Sequence, residues 1–286
     1  MSVEFYSSLL QKKKRKIPRG ELWISGEILR ELGLEQTQES LITLSASIGA
    51  DICFFSYTSP VESLPVNSGE MSLLIKKAHA SGLVCGVTVD GPFERTVREH
   101  GFIEVIKWFY NPDRLKEHLE KNTALAADEL TAADNAGADL LILCDDIAYK
   151  RGLYFSPEQF KSILLPSYRR LKNSIKGGKP MGFHSDGNIE SIISFLVEEE
   201  YSIFSLEPEA MRLVELCRRL PENVIILSGI KAGWLMGPDP DNNEEAEMLQ
   251  YINDLKNSCK LILASSCGLS DIRSVERLKK IYRQVV

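Results

Sequence analysis

The stretch Leu140-Leu141-Ile142-Leu143-Cys144-Asp145-Asp146 is a short apolar run that ends abruptly in two carboxylates. It reads as a β-strand over Leu140–Asp145. On its N-terminal side lies a long amphipathic region from Pro112 to Asn135, and comparable runs recur along the whole chain past residue 18. Glu21–Ser25, Asp51–Tyr57, Leu83–Val89, Pro180–His184, Ser202–Leu206, Val224–Ser228 and Leu261–Ser265 bring the strands to eight. Between them, Glu70–Ala80, Pro157–Lys176, Ile189–Glu199, Ala210–Arg219, Glu244–Asn257 and Asp271–Gln284 carry apolar residues at helical spacing. In the last of these, Ile272, Val275, Leu278 and Ile281 form one stripe opposite Arg273, Glu276, Arg277 and Lys280. Strands alternating with helices are the signature of a parallel sheet in an α/β protein. Eight such units close most simply into a (β/α)8 TIM barrel, whose usual length the chain matches; an open doubly wound sheet is the competing layout.

No composition shift or low-complexity linker marks a second domain. Residues 1–18 are expected to form a basic N-terminal arm and residues 19–286 a single barrel domain. The run Lys12-Lys13-Lys14-Arg15-Lys16 is the one charge block and reads as a solvated arm. With 34 Lys and Arg against 40 Asp and Glu, the net charge of −6 gives no pull toward nucleic acid or anionic lipid. No apolar stretch approaches the roughly 18 residues of a spanning helix, so a cytoplasmic protein is expected. Six cysteines without CxxC spacing argue against a disulfide framework and a zinc knuckle. There is no GxGxxG, P-loop or HExxH motif.

In a barrel, chemistry gathers where strands end in their C-terminal loops. There the sequence places Phe183-His184-Ser185-Asp186-Gly187-Asn188, and a strand's period of two lets His184 and Asp186 point the same way. The same residues also suit a turn that caps the next helix. The last strand runs into Ser265-Ser266-Cys267-Gly268. His184, Asp186 and Cys267 together offer the N, O and S donors that zinc accepts. Asp145 and Asp146 are candidates for a general base or a substrate-orienting pair, or both hydrogen-bond loop amides. After Leu206, Pro208 makes Glu209 a first-turn acid and leaves Glu207 as the rim candidate, a ligand or the partner of one. Asp90, Tyr149 and Lys231 are the expected substrate contacts, with Asp90 equally suited to a turn and Lys231 to solvent.

The order of these motifs resembles the uroporphyrinogen decarboxylase superfamily, which includes zinc-dependent corrinoid:thiol methyltransferases. The resemblance rests on Asp145-Asp146 running into Gly152-Leu-Tyr-Phe-Ser-Pro-Glu-Gln-Phe160, on Leu165-Pro166-Ser-Tyr168-Arg-Arg, and on Gly182-Phe-His184-Ser-Asp186-Gly187. It continues through Leu206-Glu207-Pro208 to Ser265-Ser-Cys267-Gly268. It implies the (β/α)8 fold. Decarboxylases of the superfamily carry an Arg-Gln-Ala-Gly-Arg segment near the first strand, whose arginines hold substrate carboxylates. This chain has Pro18-Arg19-Gly20-Glu21-Leu22-Trp23 there, and so resembles the methyltransferases better.

Against the methyltransferase pattern of His-x-Cys and a later Cys-Gly, His184 and Cys267 match and Asp186 replaces the first Cys. The resemblance implies zinc held by His184, Asp186 and Cys267, with Asp145, Asp146 and Glu207 serving catalysis. It implies a corrinoid such as methylcobalamin as methyl donor and a small-molecule thiol as acceptor. The short N-terminal region adds a corrinoid carrier protein as an expected partner. The alternatives are uroporphyrinogen decarboxylation and a non-catalytic tetrapyrrole- or corrinoid-binding homologue.

Overall fold

A computed structural model describes residues 17–57, 69–176, 178–266 and 268–285. The Lys12–Lys16 run and Cys267 lie outside the described residues. The strands are β1 (Ile52–Ser56), β2 (Val84–Asp90), β3 (Leu140–Cys144), β4 (Ala148–Tyr149), β5 (Gly152–Leu153), β6 (Met181–His184), β7 (Ile203–Ser205), β8 (Ile225–Ile230) and β9 (Lys260–Ser265). Seven of them form one curled parallel sheet in the order β1-β2-β3-β6-β7-β8-β9, while β4 and β5 make a separate antiparallel hairpin. Helices fill the connections between successive strands of the curled sheet; Gln38–Ile48, before β1, and Pro92–His100, after β2, are additional to the expected helices. The result is an α/β fold that resembles a TIM barrel.

The strands read as nearly continuous apolar runs because both faces are buried. Alternate residues split between two cores. Cys53, Phe55, Val87, Val89, Leu141, Leu143, Phe183 and Ile226 join the large layer packed under the helices. Ile52, Phe54, Val84, Leu140, Ile142, Ile203, Ile225, Leu227 and Ile262 form a second cluster on the concave side. That inner space is filled by pairing large with absent side chains. A β-carbon on Gly86 would overlap the Phe54 ring, and one on Gly182 would overlap Ile142.

The expected first strand over Glu21–Ser25 is not a strand. The segment makes isolated parallel bridges, Arg19 with Leu263 and Ile24 with Leu269. It still touches both edges of the sheet. The Arg19 carbonyl accepts from the amides of Asp51 (2.8 Å) and Ile52 (3.0 Å), beside β1, and the Leu263 amide of β9 donates to Pro18 O at 2.7 Å. The reason the ladder stops is Glu21. Its buried carboxyl accepts from the Ser265 amide (3.1 Å) and the Tyr282 hydroxyl (2.7 Å), and it bonds the Ser265 hydroxyl. A side chain thus takes the partner that a strand backbone would have used. Burial, opposed by these bonds, lifts the Glu21 carboxyl to about 7.

The expected helix Pro157–Lys176 is broken into Pro157–Gln159, a π-turn over Phe160–Leu164, and Leu165–Ser174. Pro166 has no amide to donate to the preceding turn, and the wider turn absorbs that loss. The expected helix Ala210–Arg219 shrinks to Leu213–Cys217. Among the described residues, no helix is long and apolar enough to cross a membrane.

Candidate active site

The C-terminal ends of the strands form a mouth. The register pairs Asp90 with Cys144, Cys144 with His184, and His184 with Ser205 across four neighbouring strands. His184 Nδ1 lies 2.9 Å from Ser205 Oγ, which fixes the ring. Its other nitrogen, Nε2, stands 3.8 Å from Asp186 Oδ1. The Asp186 amide donates to Asp146 Oδ1 at 2.8 Å, so Asp146 both orients the loop and adds a second carboxylate. Donor atoms of Asp146, His184 and Asp186 all lie within 4.8 Å of one another.

The loop that carries Asp186 is held from three sides. Ser185 is buried, and its hydroxyl accepts from the Ile147 amide at 3.1 Å. The Gly187 amide donates to Glu207 Oε2 at 2.9 Å, and the Asn188 amide donates to the Tyr149 carbonyl at 2.9 Å. Gly187 has φ of +81°, and a β-carbon there would press on the backbone of Ala148 and Tyr149 at 2.7 Å. Only glycine meets both demands. Glu207 therefore sits behind the loop as a positioning group.

Asp145 behaves unlike its neighbour. Read from the sequence as a rim group, it is wholly buried. Its carboxyl accepts from the amides of Phe93 (3.1 Å) and Glu94 and from the Tyr168 hydroxyl (2.8 Å). It caps the helix Pro92–His100 from across the sheet. Burial outweighs those three donors and pushes the carboxyl up to about 8. A β-carbon on Gly91 would fall on the Asp145 carboxyl, so the cap depends on that glycine.

The remaining sequence candidates are dispersed. Asp90 is paired with Arg98 at 2.6 Å, and its carbonyl accepts from Arg95 Nε at 2.9 Å. Tyr149 is exposed and stacks on Tyr154 with centroids 5.9 Å apart. Lys231 places its ammonium over the rings of Trp234 (5.1 Å) and Tyr251 (4.8 Å), a cation–π seat rather than an open anion contact. Glu209 is not in the first turn of a helix of its own; it accepts from the Ala232 amide, at the start of Ala232–Met236. Cys267, the expected sulfur donor, lies outside the described residues.

Two groups at the mouth escaped the sequence reading. Glu94 is half-buried, and desolvation followed by the charges of Asp146, Asp90 and Asp186 raises its carboxyl despite Arg98. Its signal is the Pro92 that opens the helix Pro92–His100: Glu94 is the second residue after it, in the first turn. The Tyr154 hydroxyl is raised by burial and then by the charges of Asp146, Asp186 and Glu94. Asp186 is raised as well, first by lost hydration, with His184 opposing and Asp146 and Glu207 adding. With 61% of the side chain accessible, water damps that effect.

The electrostatics describe a mouth short of positive charge. Carboxylates that raise one another are relieved by a dication, and one imidazole with two carboxylates is a donor set that zinc accepts. Arg19, which stands just before the expected first strand, does not serve the mouth. Arg19 is buried, with Nη1 on the Tyr282 carbonyl at 2.7 Å and Nε 3.7 Å from Asp51, just before β1 begins.

The chain matches the family model for uroporphyrinogen decarboxylase (URO-D) over residues 70–285. No curated protein matches it. Among solved structures it is similar to a methyltransferase from Methanosarcina mazei, at 15% identity and a TM-score of 0.77, covering 99% of this chain and 98% of that one. It is also similar to an L-ribulose 3-epimerase, at 10% identity and a TM-score of 0.58, covering 95% of this chain and 94% of that one. Likeness at these identities is a likeness of fold.

Proposed function

Because the chain belongs to the uroporphyrinogen decarboxylase family, we propose that it is a metal-dependent methyltransferase of that family. It moves a methyl group from a methylated corrinoid to a small-molecule thiol. The observation that carries this reading is the convergence of Asp146, His184 and Asp186 at the mouth. The methyltransferase of Methanosarcina mazei, of similar fold over nearly all of both chains, supports it. In this reading residues 19–286 form one closed (β/α)8 barrel, with the segment around Arg19 as the eighth staff between β1 and β9.

A zinc ion, when bound, supplies positive charge that favours the thiolate form of the acceptor. Asp146, His184 and Asp186 would hold it, with Cys267 adding sulfur. Ser205 fixes His184 through Nδ1 and so aims Nε2 outward. Glu207 and Asp146 hold the loop amides of Gly187 and Asp186 and so set where Asp186 stands. Glu94, whose carboxyl is raised by burial and by the neighbouring acids, would accept the proton that the acceptor thiol releases. The aromatic edge of Tyr149 and Tyr154 offers an apolar wall to the corrinoid or to a carrier protein presenting it. Tetrapyrrole decarboxylation fits less well, because a substrate bearing many carboxylates would meet Asp90, Glu94, Asp146 and Asp186, and the Arg19 guanidinium is buried elsewhere.

The test is metal analysis with an anaerobic assay of methyl transfer from methylcobalamin to a thiol. About one zinc per chain is expected, lost together with transfer in His184→Ala and weakened in Asp146→Asn and Cys267→Ser. Full transfer by His184→Ala, or conversion of uroporphyrinogen to coproporphyrinogen at an enzyme-like rate, would overturn the reading.

A further inference from the structure

The chain has four histidines, and two of them meet far along the helical layer from the mouth. His100 ends the helix Pro92–His100, and His118 lies in the second turn of Pro112–Ala136. His100 Nε2 is 3.1 Å from His118 Nδ1 and 3.6 Å from Glu99 Oε2. The buried Trp108 holds both rings: it stacks on His118 at 4.8 Å and 21°, and tilts against His100 at 4.9 Å. Trp108 is itself fixed by Nε1 donating to Glu104 at 3.0 Å and by the Arg114 guanidinium 4.2 Å away.

Two imidazole nitrogens bound to one ion at about 2.0–2.1 Å stand roughly 3–3.4 Å apart. The His100–His118 separation already has that value. The ligand atoms of Glu99, His100 and His118 all lie within 4.8 Å of one another. Much of the ordering that chelation normally costs is therefore already present in the stacked rings. We propose that Glu99, His100 and His118 form a second metal site, for a borderline dication such as Zn²⁺, Ni²⁺ or Cu²⁺, with water completing the coordination. Imidazole nitrogen and a single carboxylate favour these ions over Mg²⁺ or Ca²⁺, which prefer all-oxygen sites.

Lys121 tempers the site. Its ammonium bonds both oxygens of Glu99, at 2.9 and 3.2 Å, which keeps the carboxylate ionised yet competes with an incoming ion. The bound ion would tie the last residue of Pro92–His100 to Pro112–Ala136. The other end of that first helix carries Glu94 at the mouth, so one rigid element would run from this site to the proton acceptor of the other.

The experiment is a Ni²⁺ titration of the full-length protein in a His184→Ala background, which removes the mouth site. It is followed by calorimetry and tryptophan emission. One equivalent is expected to bind and to quench the Trp108 contribution, with quenching lost and binding kept in Trp108→Phe. His118→Gln should weaken binding at least tenfold, Glu99→Gln several-fold, and Lys121→Met should tighten it. The proposal is overturned if His184→Ala binds no ion at micromolar concentration, or if His118→Gln binds as tightly as its parent. Should His118→Gln fold poorly, unchanged affinity in the surface variant Glu99→Gln overturns it equally.

Discussion

Removing the carboxyl of Asp145 should damage the fold far more than removing that of Asp146, although the two are adjacent in sequence. Asp145 is wholly buried and accepts three hydrogen bonds, from the Phe93 and Glu94 amides and the Tyr168 hydroxyl. Each bond contributes about 1 kcal/mol net, and a buried amide left without an acceptor costs about 1–3 kcal/mol. The Tyr168 hydroxyl can turn to another partner, but the two amides at the helix start cannot. Asp145→Ala should therefore lose about 4 kcal/mol. At roughly 2–3 °C per kcal/mol for a chain of this size, the Tm should fall by roughly 10 °C. Among the described residues Asp146 accepts from the Asp186 amide near the surface, so Asp146→Ala should cost about 1 kcal/mol or less. Far-UV circular dichroism melts and urea unfolding with an unchanged m-value measure both. A Tm for Asp145→Ala within 2 °C of the parent, or equal losses in the two variants, would refute the assignment of Asp145 as a buried cap.

Three further outcomes follow from the same geometry. Gly91→Ala keeps an allowed backbone but puts a methyl on the Asp145 carboxyl, so it should destabilise by about 2 kcal/mol or more; a neutral melt would contradict the packing described. Glu21 is lifted from 4.5 to about 7 by burial, so its favourable protonated form is complete below pH 4.5 and is lost as pH rises toward 7. The stability of wild type relative to Glu21→Gln should accordingly drop by roughly 3 kcal/mol between pH 4.5 and 8, and urea unfolding that shows a pH-independent difference would count against it. Ser205→Ala frees His184 Nδ1 and should lower zinc affinity roughly tenfold with little change in Tm; unchanged affinity by competition with a chromophoric chelator would show that the ring needs no such partner.

Most of the sheet was legible because its strands are apolar on both faces, and only a buried parallel sheet makes such runs. The seven strands of the curled sheet fall inside or within two residues of the expected stretches. Glu21–Ser25 failed for a specific reason: Glu21 substitutes a carboxylate for a ladder partner, and alternation counts cannot see that exchange. At the mouth, His184 and Asp186 could be paired from sequence because they share one strand end. Asp145 and Asp146 could not be told apart, since adjacent residues diverge and only tertiary packing says which one enters the core. Glu94 and Tyr154 come from other elements, so no linear spacing joins them to Asp186.

The seam that Glu21 makes with Ser265 joins residues 244 positions apart. During synthesis the Glu21 carboxyl must therefore wait for its Ser265 partner until the residue 244 positions on has been made. The β1 edge, which Arg19 covers through the Asp51 and Ile52 amides, can be satisfied early, but the β9 side cannot. A nascent chain arrested before Leu263 would carry an open sheet edge and an unshielded concave core. Closing that seam, together with the bonds of Arg19 and Glu21 to Tyr282 across 263 and 261 positions, forms a very long loop, so a stretch translated late completes one made early.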